Sequence, residues 1–307
     1  MTYLEQRITK KRWKILNQEK IEGIYAGNIY RIEVLGGEDR KKNYIYKEFA
    51  HDRNNEVHIY EKLENLIKPF SKLVEIWSSY PQAILMYDLE SPLKVVFENL
   101  SLNNKKDFIE QILQRLLALH TLKLDVARNE LPIHQMNYEW RNWCIDEINK
   151  LIIQHQWAKL DWVETIKYAY EQLEINNYQV KSPLVLTHGD THLENIFYYE
   201  DQISFIDWEW AALGSPLRDI TILLQDIYEP ELIQFIFDSY RTLLNEKKIN
   251  IIEKDYREDF NLLYVDHTTM MLAWEIEKYF QGYISEKKIQ FIINFTIGEI
   301  KRITNEN

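Results

Sequence analysis

A short apolar run, Leu184-Val185-Leu186-Thr187, opens directly onto His188-Gly189-Asp190, and Asn195 stands five residues beyond the aspartate. A second β-type run, Ile203-Ser204-Phe205-Ile206, leads into Asp207. Two strand-like runs that each end near a carboxylate restrict the chain to folds whose strand-end loops carry chemistry. Gly189 allows a tight turn that presents Asp190. Neighbouring strand ends are expected to bring Asp190, Asn195 and Asp207 together. These residue types suit phosphoryl transfer. One carboxylate orients a hydroxyl and accepts its proton, while a neutral oxygen ligand and a second carboxylate hold Mg²⁺ against phosphates. Asp190 fits the base; Asn195 and Asp207 fit the metal. A lone Asp after His-Gly is usually a turn residue, and an isolated Asn usually caps or decorates a loop. Three such groups in this order are much harder to obtain by accident. His192, inside the loop, reads as ordinary packing or as a zinc ligand with His188 and Asp190, although no further ligand set accompanies it.

The spacing from Asp190 to Asn195 is that of a protein-kinase catalytic loop. The wider pattern adds Ile206-Asp207-Trp208-Glu209 and then Gly214-Ser215-Pro216-Leu217-Arg218-Asp219. It resembles the aminoglycoside phosphotransferase and choline kinase superfamily, strongly over these segments. The resemblance implies an α+β, two-lobed protein-kinase-like fold, with a small N-terminal antiparallel sheet plus helix and a larger, mainly helical C-terminal lobe. It also implies ATP and Mg²⁺ as cofactors. In that setting His188 packs and braces the loop, and Asp219 braces it from behind through hydrogen bonds to its backbone.

The order of elements agrees. Tyr25 to Leu35 carries β-formers and stops at Gly36-Gly37, and Asn43 to Phe49 reads as the return strand. From Asn55 to Leu66 the apolar residues Val57, Tyr60, Leu63 and Leu66 recur at helical spacing. Ala83 to Tyr87 is a buried-type strand. Beyond it, helices are expected over Phe108–Leu124, Asn142–Ile153, Leu160–Leu173 and most of Glu231–Arg302, interrupted by the two short β-runs. The expected division is a nucleotide-binding lobe over residues 1–88 and a catalytic, substrate-binding helical lobe over 89–307.

A kinase-like site also needs groups that hold the triphosphate. Gly23-Ile24-Tyr25-Ala26-Gly27-Asn28 is the candidate phosphate-covering hairpin, with Gly27 and Asn28 nearest the nucleotide; a plain β-turn is the alternative. Lys47, midway along its strand, can reach phosphate oxygens. Glu56, opening the next helix, would pair with it, with Glu61 as the rival. Backbone groups from Met86 to Asp88 would meet the adenine. ATP is the default donor, and GTP fits the same pattern.

Only twelve positions separate Asp207 from Asp219, and no Ala-Pro-Glu follows. That leaves little platform for a peptide and points to a small hydroxyl compound as acceptor. Glu209, Trp210, Asp226, Asp266 and Trp274 are candidate acceptor contacts; Asp266, Met270 and Trp274 fall near one helical face. Carboxylates bind ammonium groups and aromatic rings can cage them. The alternative for each is core or surface packing. An aminoglycoside-like polyamine and a choline, ethanolamine or thiamine-type alcohol both suit. A kinase-fold structural protein without turnover, like those associated with spore coats, is the reading from another class.

The net charge of −11 argues against a nucleic-acid partner, which needs a basic face. It permits a cationic small molecule, or simply keeps the chain soluble. No apolar run is long enough to span a bilayer, and the start lacks a signal-peptide core. With the single cysteine, Cys144, these features lead us to expect a cytoplasmic protein with no membrane partner.

Overall fold

The structure is a computed structural model describing residues 2–21, 27–36, 40–50, 54–124 and 131–306. Five antiparallel strands form one sheet: β1 (Lys14–Ile21), β2 (Ile29–Leu35), β3 (Lys41–Glu48), β4 (Leu73–Trp77) and β5 (Ala83–Tyr87), in the order β1-β2-β3-β5-β4. Alternation along β3 sends Tyr44 and Tyr46 to one face, where they pack with Ile32, Val34, Ala83 and Leu85. Ile45 and Lys47 therefore belong to the other face.

Two helices accompany this sheet, where one was expected. Helix α1 (Tyr3–Lys10) starts at a Thr2–Glu5 capping box and buries Leu4 and Ile8 on the Tyr44–Tyr46 face. Eight residues are too few to hold a helix alone, so it depends on this docking. Helix α2 (Asn55–Ser71) runs past Leu66, and its buried stripe is Val57, Tyr60, Leu63 and Ile67. Strand β4 escapes the sequence pattern because most of its positions are only half-buried.

The chain divides into two compact units. The first holds residues 1–100, 122–131 and 188–211, and the second holds 101–121, 132–187 and 212–307. The catalytic segment thus packs within the sheet unit, although it lies beyond residue 88 in the chain. That unit also contains the short helix α3 (Lys94–Phe97) and a hairpin of β7 (Ile196–Tyr199) and β8 (Gln202–Phe205). The hairpin turns through Glu200 and Asp201, both with positive φ (49° and 58°), the backbone of a type I′ turn without its usual Asn-Gly.

The second unit is mainly helical: α4 (Leu102–His120), α5 (Glu139–Gln154), α6 (Asp161–Gln172), α7 (Leu217–Leu223), α8 (Pro230–Glu246), α9 (Glu253–Phe280) and α10 (Glu286–Glu306). Helix α9 packs against α5, α7 and α10, which is why it is buried on most sides. Strands β6 (Val185–Thr187) and β9 (Ala212–Gly214) pair here.

One expectation needs correction. The run before Asp190 and the run before Asp207 are not neighbouring strands: β6 pairs with β9, and β8 pairs with β7. The two short β-runs seen in the sequence each acquire a partner strand of three or four residues, too short to carry a readable pattern.

Candidate active site

Strand β3 sets Lys47 opposite Ile29 and Ile84, in the middle of the sheet. Its Nζ donates to Oε2 of Glu56 at 2.6 Å and to Oδ1 of Asp207 at 3.3 Å. Glu56 lies in the first turn of α2, where the helix dipole favours a carboxylate. Its rival Glu61 is bonded instead to His58 and Ser78. Burial would lower the Lys47 pKa, but the carboxylates of Glu56 and Asp207 outweigh it and hold the ammonium above its ordinary value. Burial also pushes Glu56 up, against the pull of Lys47.

The loop after β6 is closed by its own side chains. Gly189 has φ 83°, a left-handed conformation that costs other L-residues about 1–2 kcal/mol. This turn lets the Asp190 amide donate to Nδ1 of His188 at 3.2 Å. The His188 ring is fully buried and meets Trp208 edge-on, with centroids 4.4 Å apart. Asn195 Nδ2 donates to Asp190 Oδ2 at 2.8 Å and to its backbone oxygen at 3.1 Å. The Asn195 amide donates to the His192 carbonyl at 2.9 Å, and the Ile206 amide donates to the Asn195 carbonyl at 3.0 Å. That last bond ties the loop to the chain just before Asp207. The three groups therefore converge through Asn195 rather than through adjacent strands.

Asp207 itself has φ 63°, a strained value for a residue with a side chain. Trp208 anchors the turn, fully buried, with Nε1 donating to the Phe205 carbonyl at 3.3 Å. Asn55 Nδ2 of α2 donates to the Glu209 carbonyl at 2.5 Å.

Asp190 is held from a second side by His192, whose Nε2 lies 3.4 Å from Oδ1. Burial would raise the Asp190 pKa, but His192, His188 and Asn195 overcome it and keep the carboxyl below its ordinary range. Asp190 is thus held toward its ionised form. Sequence reasoning left His192 between packing and zinc; its position two residues after the base was the available signal.

The donor set fits Mg²⁺. With Nδ2 spent on Asp190, the group that Asn195 can offer a cation is its side-chain oxygen. Asp207 adds a carboxylate. Mg²⁺ takes hard oxygen ligands and commonly needs only one or two from protein, the rest coming from phosphates and water.

On the nucleotide side, a Cβ added to Gly27 would lie 2.5 Å from the Glu48 carbonyl oxygen, so only glycine fits there. Asn28 accepts from the Glu48 amide at 2.8 Å and donates its Nδ2 to Glu48 Oε2 at 3.3 Å. Residues 23–26 of the candidate hairpin lie outside the described residues. Met86 is buried in β5, paired with Ile45 and Leu73. The amides of Tyr87 and Asp88 donate to the carbonyls of Lys72 (3.2 Å) and Asn43 (3.1 Å). The Asp88 carboxylate takes Arg31 Nε at 2.7 Å. These two amides are engaged within the sheet, which leaves carbonyl oxygens and the residues after Asp88 for a base.

The candidate acceptor contacts differ in setting. In the first unit, Trp210 is 51% exposed, and Glu209 is half-buried beside it. In the second unit, Asp219 accepts from His120 Nε2 at 2.9 Å, with both side chains buried. Asp226 is half-buried at the end of a 3-10 turn. Trp274 is half-buried against Trp143, with centroids 6.4 Å apart. Asp266 departs from its expected helical partners: it is fully buried, whereas Met270 and Trp274 are half-buried. It accepts from the Tyr170 hydroxyl at 2.6 Å, and burial pushes it up to about 7. A small cavity of about 20 Å³ in this unit is lined by Tyr228, Tyr264, Thr268, Met271, Glu275 and Phe295, among others.

The model of a family described as "Phosphotransferase enzyme family" matches residues 55–244. Protein LicA of Haemophilus influenzae is 26% identical over 144 residues, which is 47% of this chain and 51% of that protein. The match thus spans about half the length of that curated relative. Among solved structures, a spectinomycin phosphotransferase in complex with ADP and spectinomycin superposes with TM-score 0.63 at 14% identity, covering 99% of this chain and 98% of that one. The choline kinase LicA from Streptococcus pneumoniae gives TM-score 0.59 at 15% identity, covering 97% and 98%. At these identities the structural likeness establishes the kinase-like fold.

Proposed function

The chain belongs to the phosphotransferase enzyme family, and we propose on that footing that it transfers the γ-phosphate of ATP, with Mg²⁺, to a hydroxyl of a small cationic molecule. The observation that carries this reading is the linked set Lys47–Glu56–Asp207 and Asp190–Asn195. A kinase-fold protein without turnover would be free to lose any one of these groups. Each is present, and each is bonded to another member of the set.

Asp190, ionised and held at both carboxylate oxygens, orients the acceptor hydroxyl and takes its proton. The acceptor oxygen bonds to the γ-phosphorus as the bond to the bridging oxygen breaks, and ADP leaves with that electron pair. Lys47, fixed by Glu56, supplies positive charge to phosphate oxygens, with Gly27 and Asn28 beside them. Asn195 and Asp207 would hold Mg²⁺, which when bound neutralises phosphate charge. His188 and Asp219 serve as braces. Met86 and Asp88 mark the strand end where adenine docks. In this scheme residues 1–88 form the nucleotide-binding lobe and 89–307 the catalytic and acceptor-binding lobe.

A cationic acceptor is supported by the net charge of −11 and by the Glu209 carboxylate next to the exposed Trp210 ring. Asp226 and Trp274 remain candidate contacts in this reading, whereas Asp266, fully buried and bonded to Tyr170, does not reach an acceptor. An aminoglycoside-like polyamine is the first candidate. A choline-type alcohol is the second, favoured by the likeness to LicA proteins. We place the activity in the cytoplasm; among the described residues no helix is long and apolar enough to cross a membrane. The test is ATP consumption with product mass over aminoglycosides, choline-like alcohols and sugars. A product heavier by one phosphate on a cationic alcohol is expected. Phosphorylation confined to neutral sugars would refute the acceptor class, and no phosphorylated product from any would refute the kinase reading.

A further inference from the structure

Three buried side-chain atoms on α2 have no hydrogen-bond partner: the hydroxyl of Ser71 at its end and, one turn apart near its start, Oε1 of Glu56 and the hydroxyl of Tyr60. Glu56 is 1% exposed and Tyr60 0%, so neither reaches solvent. They stand four positions apart, on one helix face. A long helical side chain covers the turn N-terminal to its own Cα, which for Tyr60 is the turn that carries Glu56. One unmatched group is an O–H donor and the other a carboxylate acceptor. Besides burial, the groups that act electrostatically on this hydroxyl are Glu56 first and Asp207 second. The same helix also touches the Asp207 turn through Asn55 and the Glu209 carbonyl.

A tyrosine used only for packing needs no hydroxyl in this interior, where phenylalanine would fill the same space without desolvating an oxygen. We propose that Tyr60 is a positioning residue of the nucleotide site, its hydroxyl linked to Oε1 of Glu56 through one buried water. Resting on the kinase reading above, this gives Glu56 two fixed oxygens. Oε2 grips Lys47, and Oε1 is held by Tyr60. The carboxylate then cannot swing away when Lys47 leaves Asp207 for phosphate.

Tyr60→Phe removes only the oxygen. In calorimetry, Mg·ATP affinity should fall about tenfold, the scale of one hydrogen bond to a charged group. The melting temperature of the nucleotide-free variant should fall modestly, because Oε1 of Glu56 loses its donor while the phenylalanine ring keeps the packing. In a Glu56→Ala background the same change should have no further effect. Wild-type affinity in Tyr60→Phe would overturn the role, as would a full tenfold loss that persists without Glu56. A melting temperature that stays unchanged or rises would show that no such bond is lost and overturn it too. A wild-type chain that fails to bind Mg·ATP would instead sink the kinase reading, and this role with it.

Discussion

Asn195 is joined to Asp190 twice, its Nδ2 lying 2.8 Å from the carboxylate Oδ2 and 3.1 Å from the backbone oxygen. The two side chains are therefore placed as one piece. Moving either moves both, and the two belong to one eight-residue segment, His188 to Asn195.

Asp190→Ala should lower turnover by about 10²–10⁴-fold, the usual scale for a lost general base. Asn195→Ala should lower turnover and raise the Mg²⁺ requirement, because it removes an oxygen ligand and loosens Asp190. Steady-state rates across a Mg²⁺ titration check both. Near-normal turnover in Asp190→Ala would refute the base assignment.

The Lys47–Glu56 ion pair predicts non-additivity. Lys47→Ala and Glu56→Ala should each damage turnover severely, and the double variant should lose far less than the sum. A double-mutant cycle on kcat/KM measures the coupling; strictly additive losses would mean that the pair does not act as a unit.

His192 touches the base oxygen opposite Asn195. His192→Leu should cost about tenfold or more in kcat, on the scale of a charge-assisted hydrogen bond, while the nucleotide KM stays near wild type. A change confined to nucleotide KM would place His192 at the phosphates instead.

Asp266 predicts a pH effect on stability. Its carboxyl moves from 3.8 to about 7 on folding because burial disfavours the charge. The folded chain then binds more protons than the unfolded chain between those values. Its contribution is fully present below about pH 4 and is lost as pH rises through about 7. Asp266→Asn should remove that loss, so its stability relative to wild type should be better at pH 8 than at pH 5. Urea unfolding at the two pH values decides it, and parallel curves would rule out a raised Asp266.

Much of the site was legible in the sequence because its residues are local. His188 to Asn195 lies within a single loop, and Asp207 follows a short apolar run. The Lys47–Glu56 pairing was readable because a mid-strand lysine followed by the first turn of a helix leaves few geometries. The hairpin of β7 and β8 was half-hidden, since Glu200 and Asp201 adopt positive φ without the glycine that usually announces it. The Arg31–Asp88 bond and the docking of α1 link residues far apart in the chain, and no local pattern encodes them.

By itself the sequence determined which groups the His188–Asn195 loop can present, since residue type and spacing decide which atoms a tight turn can offer. Tertiary structure alone decided how the three groups meet. The strands before Asp190 and Asp207 pair with other partners, and convergence comes from the Asn195 side chain and from the Ile206 amide on the Asn195 carbonyl. It also decided that Asp266 is buried while Met270 and Trp274 remain half-exposed. Helical periodicity assigns a residue to a face, but only packing against other helices determines how deeply that face is covered.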